Sequence, residues 1–133
     1  MFSQKLKYGL QALVYLSSLK NSEIVSAAKF SSELKIPKEF VSKILQSLTK
    51  TGLVDSKKGK GGGFFLAVEP EKIKLSLIID VLGGHLNNDC LFGLNKLCKD
   101  GNCEVCKEWK DYNNKFNDLI NRYTLGDFNH DHK

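Results

Sequence analysis

Four cysteines, Cys90, Cys98, Cys103 and Cys106, fall within seventeen residues, and the remaining 116 residues of the chain contain none. Cysteine used for packing scatters among core positions, whereas these four sit in a polar stretch rich in Asn, Asp, Gly and Lys. Thiols gathered in this way serve a shared metal, an iron–sulfur cluster or redox exchange. Thiolates are soft ligands suited to zinc and to iron–sulfur clusters, and four of them complete either site. The gaps of seven, four and two residues match neither paired Cys-x-x-Cys zinc knuckles nor a ferredoxin run, so spacing leaves cluster, zinc and metal-free thiol sensing open. Cys103 and Cys106 stand at the expected start of a helix, where the positive end of the dipole favours reactive thiols and disulfide formation. A thiol oxidoreductase would need a βαβ context, which is lacking here, so the chain is not read as an enzyme.

The elements that must hold these thiols belong to a chain of 133 residues, enough for one domain burying roughly two thirds of its unfolded surface, plus a short appendage. The net charge of +5 is uneven: residues 1–74 carry 13 Lys against 6 acids, and residues 75–133 carry 7 Lys or Arg against 9 acids. The first half is therefore the part suited to a polyanion. No run of about 18 consecutive apolar residues occurs, so no membrane span is expected. Lys5 and Lys7 ahead of Leu10, Leu13, Val14, Tyr15 and Leu16 imitate a signal peptide, but Gln11 interrupts the run. Leu6, Leu10, Leu13 and Val14 share one helix face, and the amphipathic reading is preferred. Four close thiols then belong to a reducing cytoplasm, where metal or redox roles replace disulfide staples.

Residues 4–20 read as a first helix and 26–35 as a short second one, with Ala27, Ala28, Phe30 and Leu34 available for packing. After a turn at Ile36 and Pro37, a third helix runs to about Thr51, where Gly52 stops it. Its inward face is Phe40, Val41, Ile44, Leu45 and Leu48. The opposite face presents Lys38, Glu39, Ser42, Lys43, Gln46, Ser47 and Lys50. Short helix, tight turn and polar-faced helix form a helix-turn-helix pattern. Strands over 53–57 and 64–68 follow, joined by Lys58, Gly59, Lys60, Gly61, Gly62 and Gly63. No Gly-Lys-Ser/Thr triplet occurs and the next residues are strand-like, which excludes a phosphate-binding loop. The hairpin fits the wing of a winged helix, its glycines letting backbone N–H groups reach phosphate while Lys57, Lys58 and Lys60 supply charge. On this reading Ser42, Lys43, Gln46 and Ser47 approach base edges of double-stranded DNA, and Lys38, Lys50, Lys58 and Lys60 bind phosphates.

Residues 75–82, with Leu75, Leu77, Ile78, Ile79, Val81 and Leu82, read as a fourth helix closing this core. A longer amphipathic helix over 104–123 carries Trp109, Tyr112, Phe116, Leu119, Ile120 and Tyr123 as an apolar stripe. Helix-turn-helix proteins often bind as two-fold dimers, so a second copy is the expected partner of that stripe. His85, His130 and His132 read as solvated. The plan is mainly α with a small β-hairpin: a winged helix-turn-helix DNA-binding domain over 1–84, a cysteine-rich loop over 85–103, a dimerisation helix over 104–126 and a disordered tail over 127–133.

Five segments carry a resemblance: Lys7-Tyr8-Gly9-Leu10-Gln11-Ala12-Leu13, Ile36-Pro37-Lys38-Glu39-Phe40-Val41, Gly59-Lys60-Gly61-Gly62-Gly63-Phe64, Cys90-Leu91-Phe92-Gly93, and Cys103-Glu104-Val105-Cys106-Lys107-Glu108-Trp109. Through them the chain resembles, over nearly its whole length, the IscR/NsrR-type (Rrf-two) bacterial transcription regulators. The resemblance implies a dimeric winged-helix protein and, as in many members, an iron–sulfur cluster held by three cysteines and a further ligand. Carried over, the three are Cys90, Cys98 and Cys103. One branch places a His three residues after the third cysteine, where this chain has the thiol of Cys106. Another uses an Asp near the N-terminus, where this chain has Lys7. Lys60 stands where the family often has Pro, and the gap between Cys90 and Cys98 is wider than usual. The resemblance puts base reading most directly on Glu39, Ser42 and Lys43, and the wing contact on Lys58. It implies a regulator whose operator affinity is tuned by a cluster, 2Fe–2S ahead of 4Fe–4S, with zinc or a thiol switch as the alternative in the same segment.

Overall fold

Serines start the first two helices. Ser3 accepts the Leu6 N–H at 3.1 Å to open α1 (Gln4–Ser18), and Ser26 accepts the Lys29 N–H at 3.1 Å to open α2 (Ala27–Leu34). These contacts come from a computed structural model that describes residues 3–19, 23–83 and 103–128. Lys35, left-handed at φ 54°, ends α2, and the Ser31 hydroxyl donates to the Ile36 carbonyl at 2.6 Å to hold the turn. Pro37 sits one residue ahead of α3 (Lys38–Thr51), which ends at Gly52. The strands β1 (Val54–Lys57) and β2 (Gly63–Leu66) pair antiparallel, with Val54 opposite Leu66 and Lys57 opposite Gly63. Then come a 3-10 turn at Pro70–Lys72, α4 (Leu75–Val81), α5 (Glu104–Arg122) and a second 3-10 turn at Leu125–Phe128. The fold is mainly helical with one small hairpin, as the sequence predicts.

Spacing decides what is inside. α3 buries Val41, Ile44, Leu45 and Leu48, one face at helical period, in a single cluster with Leu13 of α1, Phe30 of α2 and Ile78 of α4. Phe40, expected on that face, is 41% exposed. At 3.6 residues per turn it falls on the flank of the helix beside Ser47, not behind Ile44. Leu77 is likewise exposed, because the short α4 turns Leu75, Ile78 and Ile79 inward. α1 crosses so near the end of α4 that a Cβ on Gly9 would lie 2.5 Å from a methyl of Leu82.

Two pairings join parts of the chain that the sequence reading kept separate. Val25 and Phe64 exchange backbone hydrogen bonds at 2.8 Å in both directions, which adds a third strand position beside the hairpin. Leu75 N–H donates to the Tyr123 carbonyl at 3.1 Å and Leu125 N–H to the Ile73 carbonyl at 2.8 Å, tying the end of α5 to the start of α4. Ile120 and Leu125 thereby enter the same core as α1 and α3. The apolar stripe of α5 is therefore divided: Ile120 is buried against its own chain, while Tyr112, Leu119 and Tyr123 stay exposed.

Candidate nucleic-acid interface and cysteine segment

Burying one face of α3 turns the other outward. Glu39, Lys43, Gln46 and Lys50, spaced by four, three and four residues, make one exposed ladder along the helix. Lys38 is exposed at its start, and Ser42 and Ser47 are half-buried on its two flanks. Glu39 in the first turn and Lys50 in the last both complement the helix dipole. The face combines acceptors, amide and hydroxyl donors and ammonium groups, the set that base edges and phosphates call for.

The hairpin supplies a second basic element. Lys58 and Lys60 are exposed at its tip, where Gly59 (φ 102°) and Gly61 (φ 75°) take backbone conformations that side chains resist. Gly63 has a different reason: a Cβ there would lie 2.5 Å from the Val25 carbonyl oxygen, so the third strand position depends on its bare backbone. Among the described residues, ion pairs join Lys72 to Glu69 at 3.6 Å and Lys107 to Glu104 at 3.8 Å, and none engages the lysines of α3 or the hairpin tip. Their charge is left for an anionic partner.

The described half of the cysteine segment is its last two thiols. Cys103 is the N-cap of α5, its Sγ accepting the Cys106 N–H at 3.2 Å, and it is exposed. Cys106, one turn into the helix, is buried. The fold thus sets two soft donors on one helical turn, and an N–H aimed at a ligand sulfur is the kind of support that steadies thiolate ligation. The pair fits a share of an iron–sulfur or zinc site. Cys90 and Cys98 lie outside the described residues, as do His85, His130 and His132. Among the described residues no group of three or more His, Cys, Asp or Glu is placed to hold a metal, and no helix is long and apolar enough to cross a membrane.

Sequence reasoning located the ladder and the hairpin lysines but not the outward Phe40, the cap made by sulfur or the Val25 pairing. Helix phase alone would have put Phe40 beside Ser47. The adjacent β-branched residues Ile24 and Val25 hinted at a strand. A cysteine cap had no such hint, since Ser, Thr, Asp and Asn are the usual capping residues.

Known proteins are similar to this chain over most of its length. A regulator of Aquifex aeolicus (strain VF5), named as HTH-type and transcriptional, is 34% identical over 130 residues, 96% of this chain and 90% of that protein. The solved structure of T. potens IscR is 28% identical, with a TM-score of 0.73 over 96% of this chain and 84% of that one. CymR, the global cysteine regulator of B. subtilis, gives a TM-score of 0.77 at 21% identity, over 97% of this chain and 95% of that one, a likeness of fold. The family model Rrf2, described as an iron-dependent transcriptional regulator, matches residues 2–131. With so little of the sequence outside that match, the chain belongs to the Rrf2 family, whose members are transcriptional regulators and not enzymes.

Proposed function

We propose that this protein is a cytoplasmic, homodimeric DNA-binding regulator whose operator affinity is tuned by an iron–sulfur cluster held by Cys90, Cys98 and Cys103, with Cys106 as fourth ligand. The observation that carries the DNA reading is the exposed ladder of α3, set beside a lysine-bearing hairpin and backed by a fully apolar face. Glu39, Ser42, Lys43, Gln46 and Ser47 meet base edges, Glu39 accepting from a cytosine amine and Lys43 donating to guanine. Lys38, Lys50, Lys58 and Lys60 meet phosphates, so affinity falls steeply with salt. The T. potens relative named IscR and the iron-dependent description of the family support the cluster reading.

A bound cluster would supply a centre responsive to oxidants and to iron supply. Cys103 and Cys106 open α5, whose exposed Tyr112, Leu119 and Tyr123 suit a second copy of this chain. A change at these thiols therefore acts on the helix that joins two protomers and sets the spacing of their recognition helices. By linkage, DNA must alter cluster affinity by the same factor.

Anaerobic purification, a visible spectrum and assays of iron, sulfide and zinc test the reading, with affinity measured on DNA selected from a random library. A brown protein with iron and acid-labile sulfide, binding differently from its cluster-free form, supports it. A colourless protein with one zinc per chain moves the segment to structural zinc. Neither metal after reconstitution moves it to a thiol switch, and a Cys103→Ala variant that binds like cluster-loaded protein removes the coupling.

A further inference from the structure

Phe40 is the large apolar side chain that α3 does not bury. Leu45 and Leu48 on the same helix are fully buried, yet Phe40 is 41% exposed at the third position of α3, next to Glu39 and on the side of Lys43 and Ser47. Leaving an aromatic ring in water forgoes hydrophobic stabilisation that burial would provide. The ring is also held in place. Tyr8 of α1 meets it edge to face, with ring centroids 5.5 Å apart and planes at 85°. Tyr8 is itself packed against the core, so the body of the domain positions Phe40, not α3 alone.

A helix-turn-helix offers the N-terminal residues of its recognition helix to base edges in the major groove. A phenyl ring there neither donates nor accepts a strong hydrogen bond and carries no charge for phosphate. What it matches is the C5-methyl group of thymine, the apolar feature of that groove. We infer that Phe40 is a specificity-determining residue that reads a thymine methyl group, with Tyr8 as its positioning residue. This rests on the DNA-binding reading above.

Replacing a thymine by deoxyuridine removes the methyl group and leaves the hydrogen-bonding edge unchanged. On DNA selected by the wild-type protein, each thymine of one half-site is replaced singly and affinity is measured by fluorescence anisotropy. One position should weaken wild-type binding about fourfold, the weight of one methyl-sized apolar group. The same replacement should leave Phe40→Ala binding unchanged, while Phe40→Leu keeps part of the penalty and guards against misfolding of the alanine variant. A Tyr8→Leu variant should show a smaller penalty at that position than the wild type. Wild-type binding that ignores every replacement overturns the inference alone, as does a penalty that persists in full in Phe40→Ala. Failure of the wild-type protein to select any DNA overturns the DNA-binding reading and this inference with it.

Discussion

The helices α3 and α5 are both long and amphipathic, yet they spend their apolar residues differently. α3 sinks Val41, Ile44, Leu45 and Leu48 into its own chain and shows charges and amides to the outside, with Phe40 as its one exposed apolar side chain. α5 sinks Ile120, with Cys106 and Asn113 also buried, and leaves Val105 57%, Tyr112 64% and Leu119 43% exposed. A helix whose apolar face is satisfied within the chain offers chemistry for a polar, charged partner. One whose apolar face is half satisfied offers area for a protein partner, because exposed aromatic and aliphatic side chains gain most from leaving water. On the proposed reading, that contrast sends α3 to nucleic acid and the outer side of α5 to a second copy.

The largest effect should come from the core side of that contrast. Leu48→Ala is expected to cost about 2–5 kcal/mol of unfolding free energy, read by chemical denaturation. Leu119→Ala should cost well under half as much, and equal losses would mean the two helices are buried alike. Self-association should respond in the opposite order. A lysine at position 119, Leu119→Lys, is expected to weaken the dimer about tenfold or more by placing a charge on an apolar contact, as seen by sedimentation. An unchanged dimer would remove α5 as the joining surface.

The start of α5 separates capping from ligation. Cys103→Ala should lower the stability of metal-free protein by about 1 kcal/mol through loss of the cap, whereas Cys103→Ser, which keeps a capping oxygen, should not. Both variants should lose iron in reconstitution, since neither retains the thiolate. Equal destabilisation by the two would show that the sulfur does not act as a cap. The smallest expected change is at the wing. Lys58→Ala should weaken DNA binding about threefold to fivefold and make the slope of log affinity against log salt shallower by about one. An unchanged slope would take Lys58 off the phosphate backbone.

Much of the fold is legible in the sequence, and the features that are not share a cause. The periods of α1, α3 and α5 and the glycine-rich hairpin are local patterns, and local patterns survive into the fold. The Tyr8 contact on Phe40, the Val25 pairing and the divided stripe of α5 each depend on which distant element arrives alongside. Tyr8 holds Phe40 from 32 positions away, and Val25 reaches Phe64 across 39. The candidate DNA face was read residue by residue because it is the complement of a strongly periodic buried face. In the cysteine segment the sequence shows the thiols but not the cap made by the Cys103 sulfur, because capping belongs to the geometry around the atom.

The sequence by itself determined the clustering of the thiols, the basic first half, the helical period that turns a polar ladder outward and the motifs that mark the family. Those properties reside in residue types and their near neighbours. Tertiary structure alone decided that Tyr8 meets Phe40, that Val25 pairs with Phe64 and that Ile120 and Leu125 join the core of α1 and α3. Long-range burial is settled only when separate elements compete for the same buried space.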